Sequence, residues 1–400
     1  MDTGPRPSVH IAPADPLPPE WPPEPKAGWT ASIPPLSVTP LDEEARESLP
    51  LVRLAVASLL RDRPSADASP LHLEPGPPWR LTATFHDLQR VVEELKKVSP
   101  GGAGLASAIR GTIPTVSTPS SIETSRGELR FDGPPLVMGV VNVTPDSFSD
   151  GGRYLEPEAA CRRAWELIDQ GADIIDLGAE STRPGAEPVP ADEELGRLLP
   201  VLKALAVDCP VPISVDTYKA AVAEVALGEG ADLINDVSGL TFDPSLAAVV
   251  ARNGAPIVLV HTLGWPETMQ HDPRYRWLVA DVLERFAASV RRAGEAGIPL
   301  ERCLIDPGLG FGKTFAHNEQ LIESLPTLRQ LGRPVVVGPS RKAFIRAMWG
   351  ESPEALTRGT AEVCRRAATL GASVLRVHDV GSVRLALTIE EPGAYPARQE

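Results

Sequence analysis

The sequence predicts an α/β protein: a (β/α)8 TIM barrel preceded by a small N-terminal α+β extension and a Pro-rich disordered N-terminus. Three observations carry this reading. From about Glu128 onward, short β-branched apolar runs alternate with amphipathic helical stretches, eight times over about 260 residues, which matches a closed barrel of buried parallel strands. One form also repeats: Gly171-Ala-Asp-Ile-Ile-Asp176, Gly230-Ala-Asp-Leu-Ile-Asn235 and Gly371-Ala-Ser-Val-Leu-Arg376 each run from a helix-ending glycine through two branched residues to a polar group. Finally, all eight expected strands end in polar residues, and buried polar groups are costly unless they converge on partners or a ligand. A doubly wound open sheet is the competing fold, but it binds at one switch point rather than from many strand ends.

The totals narrow the function. Of the 400 residues, 39 are Lys or Arg and 53 Asp or Glu, giving a formal net charge of −14. That balance disfavours a nucleic-acid or membrane-surface partner, both of which favour a basic face. An anionic substrate would need a local cluster of cations. Cys161, Cys209, Cys303 and Cys364 lie far apart without metal-ligand spacing, so reduced thiols and a cytoplasmic location are expected. Neither a signal pattern nor an apolar run approaching 18 residues is seen.

In chain order, residues 1–40 hold twelve of the 43 prolines and read as a Pro-rich tail. Residues 41–112 read as a small α+β module. It has helical spacing over 49–62, strand-like alternation over 80–85, a helix over 86–98 with Leu88, Val91, Val92 and Leu95 on one face, and a short helix near 104–113. Residues 113–127 read as a linker, and 128–392 as the barrel, opened by a short hairpin around Asp132-Gly133. Strands are expected near 136–142, 173–178, 212–216, 232–236, 256–261, 302–306, 334–338 and 373–378. Helices should begin near 157, 192, 218, 245, 273, 316, 354 and 381.

The strand ends supply the chemistry. They are Asn142; Glu180 to Arg183; Asp216-Thr217; Asn235-Asp236; His261; Asp306; Ser340-Arg341-Lys342; and Arg376 with His378. Asp216, Asn235, Asp306 and Lys342 offer carboxylates, an amide and an ammonium, which suit a flat heterocycle rich in N–H and C=O groups. Arg183, Arg376 and His378 suit a phosphate or diphosphate. Asn142 can give an oxygen to Mg²⁺, which keeps several waters. In Asp306 to Thr314, the Gly-Lys-Thr ending resembles a P-loop, but Pro307 stands where its first glycine is needed. The glycines there instead let the backbone approach a ligand, with Phe311 as a ring wall. His261 alone is more often a hydrogen-bonded structural histidine than a metal ligand.

Seven motifs in order resemble the dihydropteroate synthase family. They are Asn142-Val-Thr-Pro-Asp-Ser-Phe-Ser-Asp-Gly-Gly152, Glu180-Ser-Thr-Arg-Pro-Gly-Ala186, Ser214-Val-Asp-Thr217, Ile234-Asn-Asp-Val237, Asp306-Pro-Gly-Leu-Gly-Phe-Gly-Lys313, Ser340-Arg-Lys342 and Arg376-Val-His-Asp379. The resemblance implies condensation of 6-hydroxymethyl-7,8-dihydropterin diphosphate with 4-aminobenzoate, giving 7,8-dihydropteroate and diphosphate in folate biosynthesis, with Mg²⁺ required. Such a site is a sulfonamide target. By position, Asp216, Asn235, Asp306 and Lys342 would hold the pterin, with Phe311 as its wall. Thr182, Arg376 and His378 would contact the diphosphate, and Asn142 the metal. Asp150, Phe148, Arg183 and Ser340 would complete the aminobenzoate site, with Asp150, Arg183 and Lys342 as the catalytic set. A homodimer through the barrel is the expected assembly.

The run Val260 to Trp265 departs from the family's usual Met-His-Met type, and Pro339 replaces another apolar residue. Two alternatives use the same pterin acids. A pterin-binding methyltransferase has no use for the Thr144–Gly152 loop or Ser181-Thr-Arg-Pro-Gly185, and a catalytically inactive homologue would be expected to have lost loop or anion-binding residues.

Overall fold

Eight parallel strands, each followed by helix, run from Leu136 to Leu387 in this computed structural model. The structure describes residues 9–13, 36–40, 52, 72–74, 80–83, 85–98, 105–106, 109, 117–144, 157–183 and 185–389. The chain divides into two units: residues 1–116 with 275–287, and 117–274 with 288–400.

The barrel strands are β7 (Leu136–Asn142), β8 (Ile174–Gly178), β9 (Ile213–Asp216), β10 (Leu233–Asp236), β11 (Ile257–Val260), β12 (Cys303–Asp306), β13 (Val336–Val337) and β14 (Val374–Val377). They pair in parallel in the order β12-β11-β10-β9-β8-β7-β14-β13. A parallel bridge between Ile305 and Val335 brings the two ends together. The strands lie within two residues of their expected bounds, because each is a short buried run cut off by a polar residue.

Helices α2 (Pro157–Asp169), α3 (Ala191–Asp208), α4 (Ala220–Gly228), α5 (Leu246–Asn253), α6 (Leu278–Glu295), α7 (Phe315–Glu323), α8 (Leu325–Leu328), α9 (Ala343–Trp349), α10 (Pro353–Thr369) and α11 (Val380–Leu387) connect and follow the strands. Their ends follow the local chemistry. Thr314 caps α7 in a reciprocal box with His317, and Ser352 caps α10 ahead of Pro353. One start differs from expectation: α6 begins at Leu278, not near 273. Asp272 adopts a left-handed φ of 53° before Pro273, and residues 273–277 are not helical.

The hairpin also differs. Its arms are β5 (Ser121–Thr124) and β6 (Gly127–Arg130), so the turn falls at Ser125-Arg126 rather than Asp132-Gly133, and the expected linker supplies one arm. Thr124 Oγ1 donates to Gly127 O at 2.7 Å across that turn. Ile122 and Leu129 pack with Met138, Ile174, Leu233, Leu304 and Val374, so the hairpin closes the end of the barrel opposite the strand C-termini. Arg126 fastens it, donating to Asp232 Oδ2 (2.5 Å), Gly230 O (2.8 Å) and Ala206 O (3.0 Å).

The N-terminal unit carries its own antiparallel sheet, order β1-β2-β4-β3, from β1 (Val9–Pro13), β2 (Leu36–Pro40), β3 (His72–Glu74) and β4 (Arg80–Ala83). Two of these strands come from the stretch read as a Pro-rich tail. Helix α1 (Phe85–Val98) buries Leu88, Val91, Val92 and Leu95 as its spacing predicts. Within the same unit Glu93 Oε1 accepts from the Ala280 amide at 3.0 Å, and Glu94 Oε1 from Trp277 Nε1 at 2.5 Å. Carboxylates thus sit at the amino end of α6, where its dipole favours them. Of the helices expected over 49–62 and 104–113, only Val52, Leu105, Ala106 and Ile109 are described, all helical and buried.

Candidate active site

Period-2 alternation aims Asn142, Asp216, Asn235, Asp306 and Arg376 inward at the C-terminal ends of their strands. Register sets Asn142 opposite Gly178, and Gly178 opposite Asp216. A side chain at 178 would start 3.6 Å from Asn142 Oδ1 and 3.7 Å from Asp216 Cβ, so the glycine keeps open the space between them. Gly338 does the same between Arg376 and Asp306.

The acidic side is strongly desolvated. Burial pushes the Asp216 carboxyl up to about 7, against the pull of Arg376, with Asp176 adding to the rise. Burial also raises Asp306, whose Oδ1 accepts from Gly308 N at 2.7 Å. Lys342 is lowered to about 8 by burial, with Asp306 opposing. Its ammonium donates to Leu309 O and lies 4.1 Å from the centre of the Phe311 ring. Arg341 beside it holds a left-handed φ of 59°, a strained turn that directs Lys342 inward. The glycine loop is tight: a Cβ at Gly308 (φ +64°) would lie 2.0 Å from His261 O.

The basic side is built around His378. Asn142 Nδ2 lies 3.3 Å from His378 Nε2, and His378 Nδ1 lies 3.0 Å from Ser340 Oγ. It is the amide nitrogen of Asn142 that faces the ring, so Asn142 Oδ1 is not committed to His378. Burial, then Arg341, Arg376 and Arg183, hold His378 neutral at about 3. That many cations around a neutral imidazole mark an anion site. Burial disfavours charge on Arg376, yet Asp176 and Asp216 outweigh it and raise its pKa.

Thr182 is half-buried and Arg183 exposed on the loop after β8. That loop is anchored by Glu180, which accepts from Tyr218 at 3.0 Å and from Lys219; Lys219 also meets Glu194 at 2.5 Å. Gly185 N donates to Pro266 O at 3.0 Å, tying the same loop to the segment after β11. There Trp265 stacks on Phe242, centroids 3.7 Å apart, with Tyr218 edge-on to both.

The structure thus brings Asn142, Asp216, Asn235, Asp306, Phe311, Ser340, Lys342, Arg376 and His378 together at the strand ends. Asp150 and Phe148, with all of 145–156, lie outside the described residues. Asp236 serves structure: burial raises it to about 6, and it accepts from the amides of Ser238 and Leu240. His261 is also structural, with Lys313 Nζ 2.9 Å from its Nδ1 and 3.2 Å from its carbonyl. That buried contact removes Lys313 from any phosphate-binding role, as the missing P-loop glycine implies. Asp176 and Lys219 were not among the residues the sequence singled out for the site. Asp176 had a signal, as the polar member of the first Gly-Ala-Asp repeat; Lys219 had none.

Such a mouth, with acids and a lysine on one side and cations on the other, defines a pterin-binding enzyme. The family model for pterin binding enzymes matches residues 138–378. A dihydropteroate synthase of Synechocystis is 46% identical over 245 residues, 61% of this chain and 85% of that protein. The Xanthomonas albilineans dihydropteroate synthase, solved with 4-aminobenzoic acid, superimposes with a TM-score of 0.63 at 44% identity, covering 68% of this chain and 97% of that one. This chain belongs to the dihydropteroate synthase family, and it is a transferase of folate synthesis. A probable bifunctional folylpolyglutamate synthase/dihydropteroate synthase of Haloferax volcanii is 38% identical over 80% of this chain, reaching upstream of the barrel, but only 40% of that protein is covered.

Proposed function

We propose that this barrel makes 7,8-dihydropteroate by joining 6-hydroxymethyl-7,8-dihydropterin diphosphate to 4-aminobenzoate, with the roles divided as follows. Asp216 and Asp306 accept the pterin's N–H groups, Asn235 pairs with its edge, and Lys342 donates to its oxygen or ring nitrogen beside the Phe311 wall. Arg376, His378 and Thr182 hold the diphosphate, and Arg183 and Ser340 receive the aminobenzoate, with Asp150 closing over it. The observation that carries this reading is the split mouth, in which desolvated acids and a lysine face a neutral histidine ringed by arginines.

The chemistry follows from charge. As the C–O bond breaks, positive charge grows on the pterin and negative charge on the leaving diphosphate. Asp216 and Asp306 favour the first, while Arg376 favours the second. The aniline nitrogen then attacks the exocyclic carbon, so positioning and exclusion of water carry the rate without a protein nucleophile. A Mg²⁺ ion suits Asn142, whose carbonyl oxygen is left available by the His378 contact; bound there, it would neutralise diphosphate charge. Among the described residues there is no group of three or more His, Cys, Asp or Glu that could hold a metal ion.

We also take the barrel to mediate a homodimer, the location to be cytoplasmic, and 1–40, 41–112, 113–127 and 128–392 to be the functional divisions. Among the described residues no helix is long and apolar enough to cross a membrane. The test is turnover of folded Lys342→Ala and Asp216→Asn. Each should fall about 100-fold or more, a size typical of losing an electrostatic group at a reacting centre. Unchanged turnover in either variant would remove the pterin-pocket assignment.

A further inference from the structure

The three polar members of the Gly-Ala-Asp type repeat, Asp176, Asn235 and Arg376, meet inside the barrel. Arg376 Nε lies 2.6 Å from Asp176 Oδ2 and Nη2 lies 2.5 Å from the same oxygen. Asn235 Nδ2 approaches that oxygen at 3.4 Å. Asp176 is fully buried, and its other oxygen, Oδ1, is buried without a hydrogen-bond partner. Desolvating a carboxylate while satisfying only one oxygen is costly, so the residue needs a compensating role.

Its second neighbour supplies one. Arg376 Nη2 also reaches Asp216 Oδ2 at 2.7 Å. Register sets Asp176 opposite Ser214 and Gly178 opposite Asp216, so Asp176 lies one inward-facing layer deeper. Nε and Nη2 both face Asp176 Oδ2, and the same Nη2 also reaches Asp216 Oδ2, so one nitrogen of the guanidinium bridges the two layers. A pterin that takes Asp216 as an acceptor competes with Arg376 for it. With Asp216 alone as partner, ligand binding would leave a half-buried guanidinium unpaired, and Arg376 would follow Asp216 or swing away.

We propose that Asp176 is a positioning residue for the reaction: it holds Arg376 through Nε and Nη2 while Asp216 exchanges its bond to Arg376 for the N–H groups of the pterin. This rests on the reading of Asp216 and Arg376 given above. Asp176 touches no substrate; it acts by keeping one charged side chain in place at the junction of the pterin and diphosphate sites.

The experiment is steady-state kinetics on wild type and Asp176→Asn, with each substrate varied in turn. KM for the pterin diphosphate should rise about tenfold or more, while KM for 4-aminobenzoate stays within about twofold. A general structural defect would move both, or lower the amount of active enzyme without a KM split. If Asp176→Asn does not fold, a second pair decides. Arg376→Met and Arg376→Met/Asp176→Asn both lack the guanidinium; the single variant leaves the Asp176 carboxylate buried without its ionic partner, so the comparison is of ligand affinity in the folded protein of each. The two should bind the pterin diphosphate within about twofold of each other, because without the guanidinium Asp176 keeps only its 3.4 Å approach to Asn235, which an asparagine at 176 can also make. An unchanged pterin KM in folded Asp176→Asn overturns the proposal, as does a further tenfold loss in the double variant. Wild type without turnover would instead overturn the reaction itself.

Discussion

In the proposed pterin site Asp216 accepts N–H groups as a carboxylate, and burial holds its carboxyl at about 7. Binding of the uncharged 6-hydroxymethylpterin should therefore tighten as pH rises through 7 and weaken as it falls below. Calorimetry across pH 5.5 to 7.5 reads this directly, and Asp216→Asn should bind weakly with that dependence gone. His378 is the opposite case. It is held at about 3 by burial and arginines, so diphosphate placed among those cations should raise its pKa, which NMR titration of the ring detects. Single residues were unevenly legible. Asp216, Asn235 and Asp306 stood out as polar ends of apolar strands. Asp176 lay in the same repeat but one layer deeper, where sequence cannot separate a charge that serves ligand from one that serves a neighbour.

At the scale of elements, the barrel was readable because strands and helices each bury one face against the same core, so period and polarity agree. The misplacements fall where local rules compete. The helix expected to begin near 273 starts at Leu278, after Asp272 with its left-handed φ and Pro273. The hairpin turned at Ser125-Arg126 because Ile122 and Leu129 needed one face, while Asp132-Gly133 offered only generic turn chemistry. That hairpin should matter for stability. Leu129 is 2% exposed, and Leu129→Ala should cost about 2–5 kcal/mol in urea unfolding, with the pterin KM unchanged, since its cavity opens at the far end from the mouth. Gly308→Ala should lower both stability and turnover, because its Cβ would collide with the His261 backbone carbonyl and displace the loop that carries Leu309 O and Phe311.

For the whole molecule, the N-terminal unit is bound to its own piece of α6 through Glu93 and Glu94. Deleting residues 1–116 should speed hydrogen exchange at the Ala280 amide about tenfold or more, because its acceptor is lost. Of the unit's sheet, β4 was legible in the alternation over 80–85, while β1 and β2 escaped because they are short, set among prolines and paired with each other over a long separation. The central claim concerns the mouth of the barrel: it couples departure of diphosphate to attack by an aromatic amine. The most direct measurement is initial diphosphate release by the purified protein supplied with 6-hydroxymethyl-7,8-dihydropterin diphosphate and Mg²⁺, with and without 4-aminobenzoate. Release should depend on 4-aminobenzoate and match dihydropteroate formed one for one. Release at the same rate without the amine would contradict the claim.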